Sequence, residues 1–238
     1  RWFMLGCCIK AAKSTDHFQN LFTSALVTLA RKPENYPMEL SVVMPCLTEA
    51  DASGVCVEKA IRAMHEAGIE GEVVIADNGS TDASKSIAEG WGARTIDVSE
   101  RGYGAALMAG IDYARGAYIA TMDGDLQNDP SDLPAMLQLA EAGDWDMVAG
   151  NRKIRQDGVF LRKVPSKIAN YIIRRTSGVT LKDYGCALKV FKSELAKDLG
   201  LYGELHRFIP VLVHLEGGRV TQVDVKHHAR RFGVSKYG

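Results

Sequence analysis

The chain has 238 residues, of which 46% are hydrophobic and 24% are charged. This profile is typical of a globular protein, and at this length about 70% of the unfolded surface can be buried without help from disulfides or metals. The 29 basic and 29 acidic residues cancel, which excludes a nucleic-acid binder that works through bulk positive charge.

The first clear pattern along the chain starts near Glu39. Residues 1–37 contain only a short helical stretch around 18–30, so we predict an N-terminal extension over 1–37 and one domain over 38–238. Strands are predicted over 40–45, 72–77, 94–98, 117–123, 146–150 and 219–225, and helices over 52–67, 83–89, 102–115, 132–142, 165–176, 193–200 and 206–216.

Strands that alternate with helices predict an α/β fold, with right-handed β-α-β units and a mostly parallel sheet covered on both faces. Ligands of such sheets bind at the carboxyl ends of the strands. This rule places segments 45–49, 77–82 and 123–127 on one edge of the sheet.

The sequence Asp123-Gly124-Asp125-Leu126-Gln127 directly follows a predicted buried strand. Two carboxylates two residues apart, with an amide oxygen nearby, can converge on one hard divalent cation. A cation held in this way can clamp a diphosphate and neutralise a leaving group. An ordinary acidic turn is the alternative interpretation.

Two further acidic residues fall on the same predicted edge. Asp77 ends the second strand, where its carboxylate could accept hydrogen bonds from a ribose or a base, and Glu49 follows the first strand. The alternative is a turn with a helix cap, which is the role we predict for Asp82. The nearby Gly102-Tyr103-Gly104 lacks the third glycine of a dinucleotide fingerprint, which argues against hydride transfer.

Charge is distributed unevenly along the chain. Residues 1–151 carry 11 basic and 22 acidic side chains, whereas residues 152–238 carry 18 and 7. The pattern predicts an acidic half that holds a cation and a basic half that holds an anion, with two solvated faces as the alternative. In the basic half, Arg162 and Ser166 are four residues apart and could share a helical face that suits a phosphate.

Five cysteines, an odd number without a C-x-x-C pair, favour a reducing compartment. No apolar run reaches about 18 residues, so we predict no transmembrane helix in this chain. The sequence after Lys236 has no terminal cap or tail, which predicts that the natural protein continues. Aromatic residues do not interleave with the basic ones as single-stranded nucleic-acid binding requires.

The motifs, in this order, resemble those of the family 2 glycosyltransferases, and among them the polyprenyl-phosphate glycosyltransferases of the dolichol-phosphate mannose synthase type. The resemblance covers about residues 39–238. It is carried by the segments Ala76–Asp82, Met122–Pro130, Asp183–Cys186, His206–Pro210 and Gly233–Gly238.

The resemblance implies a GT-A fold and inverting transfer of a sugar from GDP-mannose or a UDP-hexose to a polyprenyl phosphate. It also implies Mg²⁺ or Mn²⁺ as the cofactor and a location at the cytoplasmic face of a membrane, and it is compatible with a homo-oligomer. By motif, the resemblance implies that the nucleotide's base and ribose are lined by Pro45, Leu47, Glu49 and Asp77. It implies that the metal is held by Asp123, Asp125 and Gln127, and that Asp123 and the Gly124 backbone also touch the donor. The acceptor phosphate would be bound by Arg152, Arg162 and Ser166, and the donor's diphosphate by Arg230 and Lys236.

On this interpretation Asp125 and Arg230 are the catalytic residues. One departure is Thr48, which stands where the family usually has Asn. Two alternatives stay open: a family 2 glycosyltransferase that acts on a small phosphorylated acceptor, and a module that binds nucleotide-sugar without turnover.

Overall fold

The structure is a computed structural model that describes residues 36–153, 179–201, 203–230 and 232. The strands are β1 (Met38–Cys46), β2 (Gly71–Asp77), β3 (Arg94–Asp97), β4 (Gly116–Thr121), β5 (Met147–Arg152), β6 (Lys189–Lys192) and β7 (Val220–Val225). The α-helices are α1 (Ala50–Glu66), α2 (Ser84–Gly90), α3 (Tyr103–Tyr113), α4 (Leu133–Ala142), α5 (Ser193–Asp198) and α6 (Ile209–Leu215), and two 3-10 helices span Pro130–Asp132 and Gly203–Phe208.

The seven described strands form one sheet in the order β3-β2-β1-β4-β6-β5-β7. All neighbouring pairs are parallel except those of β6, which runs antiparallel to both β4 and β5. The chain leaves β1 toward β2 and β3 and then returns to place β4 on the other side of β1. This reversal is the point at which open α/β sheets bind ligands.

Helices cover both faces of the sheet, and every residue of β1 after Met38 is therefore buried. On one face, Leu40, Val42 and Met44 pack with α1 and α4. On the other, Val43 packs with the cluster that includes α3, α5 and α6. Helix α1 ends where Gly68 adopts a positive φ of 68°, a conformation that glycine reaches without steric cost.

Strand β6 is absent from the pattern predicted by the sequence. Its sequence Lys-Val-Phe-Lys is only four residues long and places a lysine at each end, so neither alternation nor an apolar run marks it. Lys189 is nevertheless 4% exposed, because its ammonium donates to the carbonyl of Cys186. The predicted mostly parallel sheet is correct, with this antiparallel strand inserted near its middle.

The predicted elements agree with the described ones with small shifts. The helix predicted over 206–216 is divided into the 3-10 helix Gly203–Phe208 and α6. The helix predicted over 165–176 and the extension over 1–37, except its last two residues, lie outside the described residues, so both stay predictions. The described residues belong to one compact unit, Tyr36–Gly238. None of their helices is both long and apolar enough to cross a membrane.

Candidate active site

The carboxyl ends of β1, β2 and β4 meet at one edge of the sheet. Cys46 at the end of β1 pairs in register with Asp77 at the end of β2, and Val43 pairs with Thr121 at the end of β4. The loops after these strands therefore lie side by side, and the segments 45–49, 77–82 and 123–127 share an edge as predicted. The parallel strands β5 and β7 end at the same edge, which adds Arg152 and the segment after Val225.

The loop after β1 is tied to the loop after β2. The Thr48 amide donates to Ser80 Oγ at 2.8 Å, and the Glu49 amide donates to Ser84 Oγ at 2.7 Å. Asp82 accepts from the Ser84 amide at the start of α2, but the N-cap position is Ala83 and no side chain caps it, so the predicted cap at Asp82 is displaced by one residue. Thr48 has a φ of 55°, which is strained for a β-branched residue. Buried Pro45 and half-buried Leu47 and Glu49 thus occupy a fixed loop.

Asp77 is 5% exposed, and only one of its carboxylate oxygens has a partner among the described residues. Oδ2 accepts from the amides of Gly79 at 3.2 Å and Ser80 at 3.1 Å. Oδ1 is buried and has no hydrogen-bond partner within the described part of the chain. A buried acceptor without a donor is costly, so this oxygen would suit a ligand that brings a donor.

Asp123 and Asp125 lie in the loop that follows β4. Asp123 accepts a hydrogen bond from the Tyr103 hydroxyl at 2.8 Å, and Asp125 accepts one from the Gln127 amide at 3.0 Å. Leu126, which directly follows Asp125, adopts a positive φ of 66°. The pKa of Asp125 is raised mainly by burial and, to a lesser degree, by the negative charge of Asp123. Two carboxylates that repel each other in this way favour a cation.

The segment after β7 crosses the loop that carries these carboxylates. The Lys226 amide donates to Asp132 at 2.7 Å, and His227 forms a β-bridge with Asn128. The His228 amide donates to the Gln127 carbonyl, and the His228 ring lies 3.1 Å from Asp129. Adjacent His227 and His228 therefore contact different neighbours, Asn128 for the first and Asp129 for the second.

Asp129 anchors this crossing. Burial alone would raise its pKa, but the hydrogen bonds from His228 and Ser131 outweigh burial and lower the pKa to about 2. The carboxylate is therefore charged at neutral pH, and it fastens the segment of residues 226–230 to the loop.

Arg230 reaches the carboxylates from this segment. Its Nη2 lies 2.6 Å from Asp125 Oδ2, and its Nη1 lies 3.9 Å from Glu49 Oε1. The guanidinium thus stands as a cation where the sequence predicts a divalent ion. The position suits positive charge, which is the observation that tests whether the residues fit a metal.

The protein's own side chains provide only part of a coordination sphere. Within the described ranges, no three His, Cys, Asp or Glu side chains are arranged to hold a metal ion. Asp123 and Asp125 fit Mg²⁺ or Mn²⁺, because these ions commonly use one or two carboxylates and complete their shell with water and substrate phosphates. The half-buried Gln127 and Gly124 lie in the same loop, and a Cβ at Gly124 would come 3.9 Å from the Pro45 carbonyl.

A second charged cluster lies at the end of β5 and the start of β6. Arg152 forms a bidentate salt bridge with Asp183: its Nε donates to Oδ2 at 2.7 Å, and its Nη2 donates to Oδ1 at 3.0 Å. Burial lowers the pKa of the nearby Lys189, while the charges of Asp123 and Asp183 oppose that shift. Of the residues predicted to bind the acceptor phosphate, Arg152 lies on the site edge, whereas Arg162 and Ser166, like Lys236 for the diphosphate, fall outside the described residues.

The profile of Glycosyl transferase family 2 matches residues 41–200, which include every strand end of this site except that of β7. The chain belongs to this family.

Two curated relatives of this family 2 chain act on polyprenyl phosphates by name. A dodecaprenyl-phosphate galacturonate synthase of Rhizobium johnstonii is 46% identical over 211 residues, covering 84% of this chain and 62% of the relative. An undecaprenyl-phosphate 4-deoxy-4-formamido-L-arabinose transferase of Edwardsiella ictaluri is 36% identical, covering 84% and 63%. The chain thus spans less than two thirds of the length of these relatives.

Solved structures share the fold. A mycobacterial protein superposes with a TM-score of 0.67 at 24% identity, covering 87% of this chain and 72% of its own. Glucosyl-3-phosphoglycerate synthase from Mycobacterium tuberculosis, in complex with Mn²⁺, UDP and phosphoglyceric acid, superposes with a TM-score of 0.63 at 20% identity, covering 83% and 72%. At this identity the likeness concerns the fold alone, and it confirms the predicted GT-A fold.

Sequence reasoning missed several residues of the family 2 site. Ser80 and Ser84 fix the first loop, Tyr103 binds Asp123, and Lys189 is buried beside the charged cluster. Tyr103 had a signal, since it stands in the glycine-flanked start of a helix. Lys189 had none, because its strand was not recognised.

Proposed function

We propose that this chain transfers a sugar from a nucleotide-sugar donor to a polyprenyl phosphate, with inversion at the anomeric carbon and with Mg²⁺ or Mn²⁺. The observation that carries the proposal is the contact of Arg230 with Asp125, which marks a cation position beside the carboxylates of a family 2 site. The polyprenyl-phosphate names of both relatives support the choice of acceptor.

The donor's nucleotide would lie over the ends of β1 and β2. Asp77 Oδ1, buried without a donor among the described residues, suits a ribose hydroxyl or a base N–H. Pro45, Leu47 and Glu49 would line the same pocket from the fixed loop. A nucleoside at this position directs its diphosphate toward Asp123, Gly124 and Asp125, at the reversal point of the sheet.

A divalent ion bound with the diphosphate would neutralise charge on the departing nucleoside diphosphate. Asp123 and Asp125 would hold this ion, with Gln127 in the same loop. Arg230 would exchange its contact with Asp125 for the diphosphate, where a guanidinium can bind two phosphate oxygens. Lys236 is proposed to contribute a second positive charge there.

The acceptor would approach from the end of β5 and the start of β6. Asp183 orients the Arg152 guanidinium through two hydrogen bonds, and we assign Arg152 to the acceptor phosphate together with Arg162 and Ser166. A phosphate oxygen would attack the anomeric carbon as the bond to the diphosphate oxygen breaks, so that the nucleoside diphosphate leaves with the electron pair. A phosphate anion needs positioning more than it needs a base.

A transfer assay tests the proposal. The 238-residue chain is incubated in detergent with undecaprenyl phosphate, Mg²⁺ and labelled GDP-mannose, UDP-glucose or UDP-galacturonic acid in parallel. We expect label from one donor to enter the lipid phase, and we expect EDTA or Asp125→Asn to abolish the transfer.

A parallel reaction with 3-phosphoglycerate as the acceptor separates the lipid from a small phosphorylated acceptor. Label that appears only in the phosphoglycerate product would replace the proposed acceptor. Folded protein that transfers label from none of the donors, with or without metal, would contradict the proposal.

A further inference from the structure

Tyr103 connects the start of α3 to the loop after β4. The turn into the helix is fixed, because the Gly102 amide donates to Asn78 Oδ1 at 2.8 Å and Asn78 itself is 2% exposed at the end of β2. From this fixed turn, the Tyr103 hydroxyl donates to Asp123 Oδ1 at 2.8 Å. The phenol therefore links two loops of the site across 20 residues of sequence.

The ring of Tyr103 is held as well as its hydroxyl. It packs against the ring of His206, with ring centroids 4.4 Å apart and an angle of 49° between the planes. His206 belongs to the 3-10 helix Gly203–Phe208, which lies against α3. Aromatic packing on one side and a fixed backbone on the other leave the hydroxyl little freedom to move away from Asp123.

This hydrogen bond contributes more to geometry than to stability. Asp123 is only half-buried, so water could hydrate its carboxylate if the phenol were absent. Hydrogen bonds that water can replace contribute little to folding. A donor on one carboxylate oxygen does, however, fix the rotation of the carboxylate plane, as outer-shell partners of metal-binding carboxylates do.

We propose that Tyr103 is a positioning residue that sets the orientation of the Asp123 carboxylate for the divalent cation and the donor diphosphate. The proposal rests on the proposed function, since it needs Asp123 to act as a ligand. In this role Tyr103 acts through Asp123 rather than by touching the substrate.

The test measures Mn²⁺ binding by electron paramagnetic resonance, in the presence of UDP or GDP and in the absence of an acceptor. Tyr103→Phe keeps the ring on His206 and removes only the hydroxyl, and we expect it to weaken Mn²⁺ binding about tenfold. Tyr113→Phe is the matched control, because it removes the same hydroxyl from the last residue of the same helix. We expect Tyr113→Phe to bind Mn²⁺ like the wild type.

A double-mutant cycle distinguishes positioning from a general structural effect. If Tyr103 acts through Asp123, then Tyr103→Phe has no further effect on Mn²⁺ binding in an Asp123→Ala background. An equal loss in both backgrounds would overturn the proposal, as would Mn²⁺ binding by Tyr103→Phe within about twofold of the wild type. Wild-type protein that binds no Mn²⁺ with either nucleotide would instead overturn the proposed function, and this inference with it.

Discussion

Glu72 lies at the edge of the sheet where the parallel strands begin, and Asp77 and Asp125 lie at the edge where they end. All three residues are buried: Glu72 is 7% exposed, and Asp77 and Asp125 are each 5% exposed. Glu72 accepts from Ser41, Arg94 and Arg115 and is fully provided with partners. Asp77 retains a buried oxygen without a partner among the described residues, and Asp125 lies beside a like charge.

The pKa shifts follow the same division. Burial alone would raise the pKa of Glu72, but the hydrogen bonds from Arg94 and Arg115 outweigh it and lower the pKa. For Asp125, burial and the charge of Asp123 prevail over Arg230 and raise the pKa. A buried carboxylate that stabilises the fold is thus recognised by hydrogen bonds to both of its oxygens. A buried carboxylate that serves a ligand is recognised by an oxygen without a donor or by a neighbouring like charge.

The largest expected effect is that of Asp125→Asn. Because the substitution removes the charge that a cation needs, we expect the affinity for Mn²⁺ with UDP or GDP to fall about 100-fold, as measured by calorimetric titration. The melting temperature should stay within about 2 °C of the wild type, because relief of burial and of the repulsion from Asp123 offsets the lost contact with Arg230, and Asn can still accept from the Gln127 amide. Asp198→Asn, at the exposed end of α5, is the matched control and should bind normally.

Glu72→Gln should produce the opposite result. The two arginines lose their carboxylate, and we expect the free energy of unfolding in urea to fall by about 2 kcal/mol while nucleotide affinity is kept. Glu58→Gln, which removes an exposed pair with Arg62 on α1, should cost at most about 0.5 kcal/mol. A loss of nucleotide affinity in folded Glu72→Gln protein would show that Glu72 serves the ligand edge as well as the fold.

The stabilisation by Glu72 should also depend on pH. Its pKa in the folded protein lies below the ordinary value of 4.5, so its contribution is complete above pH 4.5 and is lost as the pH falls through the lowered pKa. We therefore expect the stability difference between wild type and Glu72→Gln to shrink in acid. A difference that grows below pH 4.5 would contradict the assigned shift.

Asp77→Asn should lower nucleotide affinity by less than Asp125→Asn lowers Mn²⁺ affinity. An amide can place its nitrogen where the buried Oδ1 now lies, and that nitrogen cannot accept a hydrogen bond. We expect the affinity for UDP or GDP to fall about tenfold in calorimetric titration. Asp97→Asn, at the exposed end of the neighbouring strand β3, is the control, and an equal loss there would remove the special role of Asp77.

The smallest effect concerns the strained loop of the site. Thr48→Asn places a residue that tolerates positive φ where the threonine has a φ of 55°, and we expect the free energy of unfolding to rise by about 0.5–1 kcal/mol. Thr221→Asn, the same substitution in extended strand β7, should lower it instead. Equal changes at both positions would show that the backbone at Thr48 stores no strain.

The sequence predicted the ligand edge of the sheet well, because local patterns determine it. The apolar run ending at Cys46, the strand ending at Asp77 and the paired aspartates after β4 each follow from adjacent residues, and the α/β alternation brings them together.

The arginine partners of Glu72, at the other edge of the sheet, could not be predicted in this way. Glu72 finds Arg94 and Arg115 only after three strands have assembled, and no spacing in the sequence links these residues. Arg230 likewise reaches Asp125 across 105 positions, through a segment whose path depends on the unrecognised strand β6. Contacts this distant in sequence are decided by strand order rather than by local pattern.

The most direct measurement is an anomalous difference map from crystals grown with Mn²⁺ and UDP or GDP, collected at the manganese absorption edge. We expect one strong peak within coordination distance of Asp123 and Asp125, the nucleoside over Asp77, and the Arg230 guanidinium moved from Asp125 to the diphosphate. A nucleotide bound elsewhere, or Arg230 still on Asp125 with manganese distant from both carboxylates, would contradict the account.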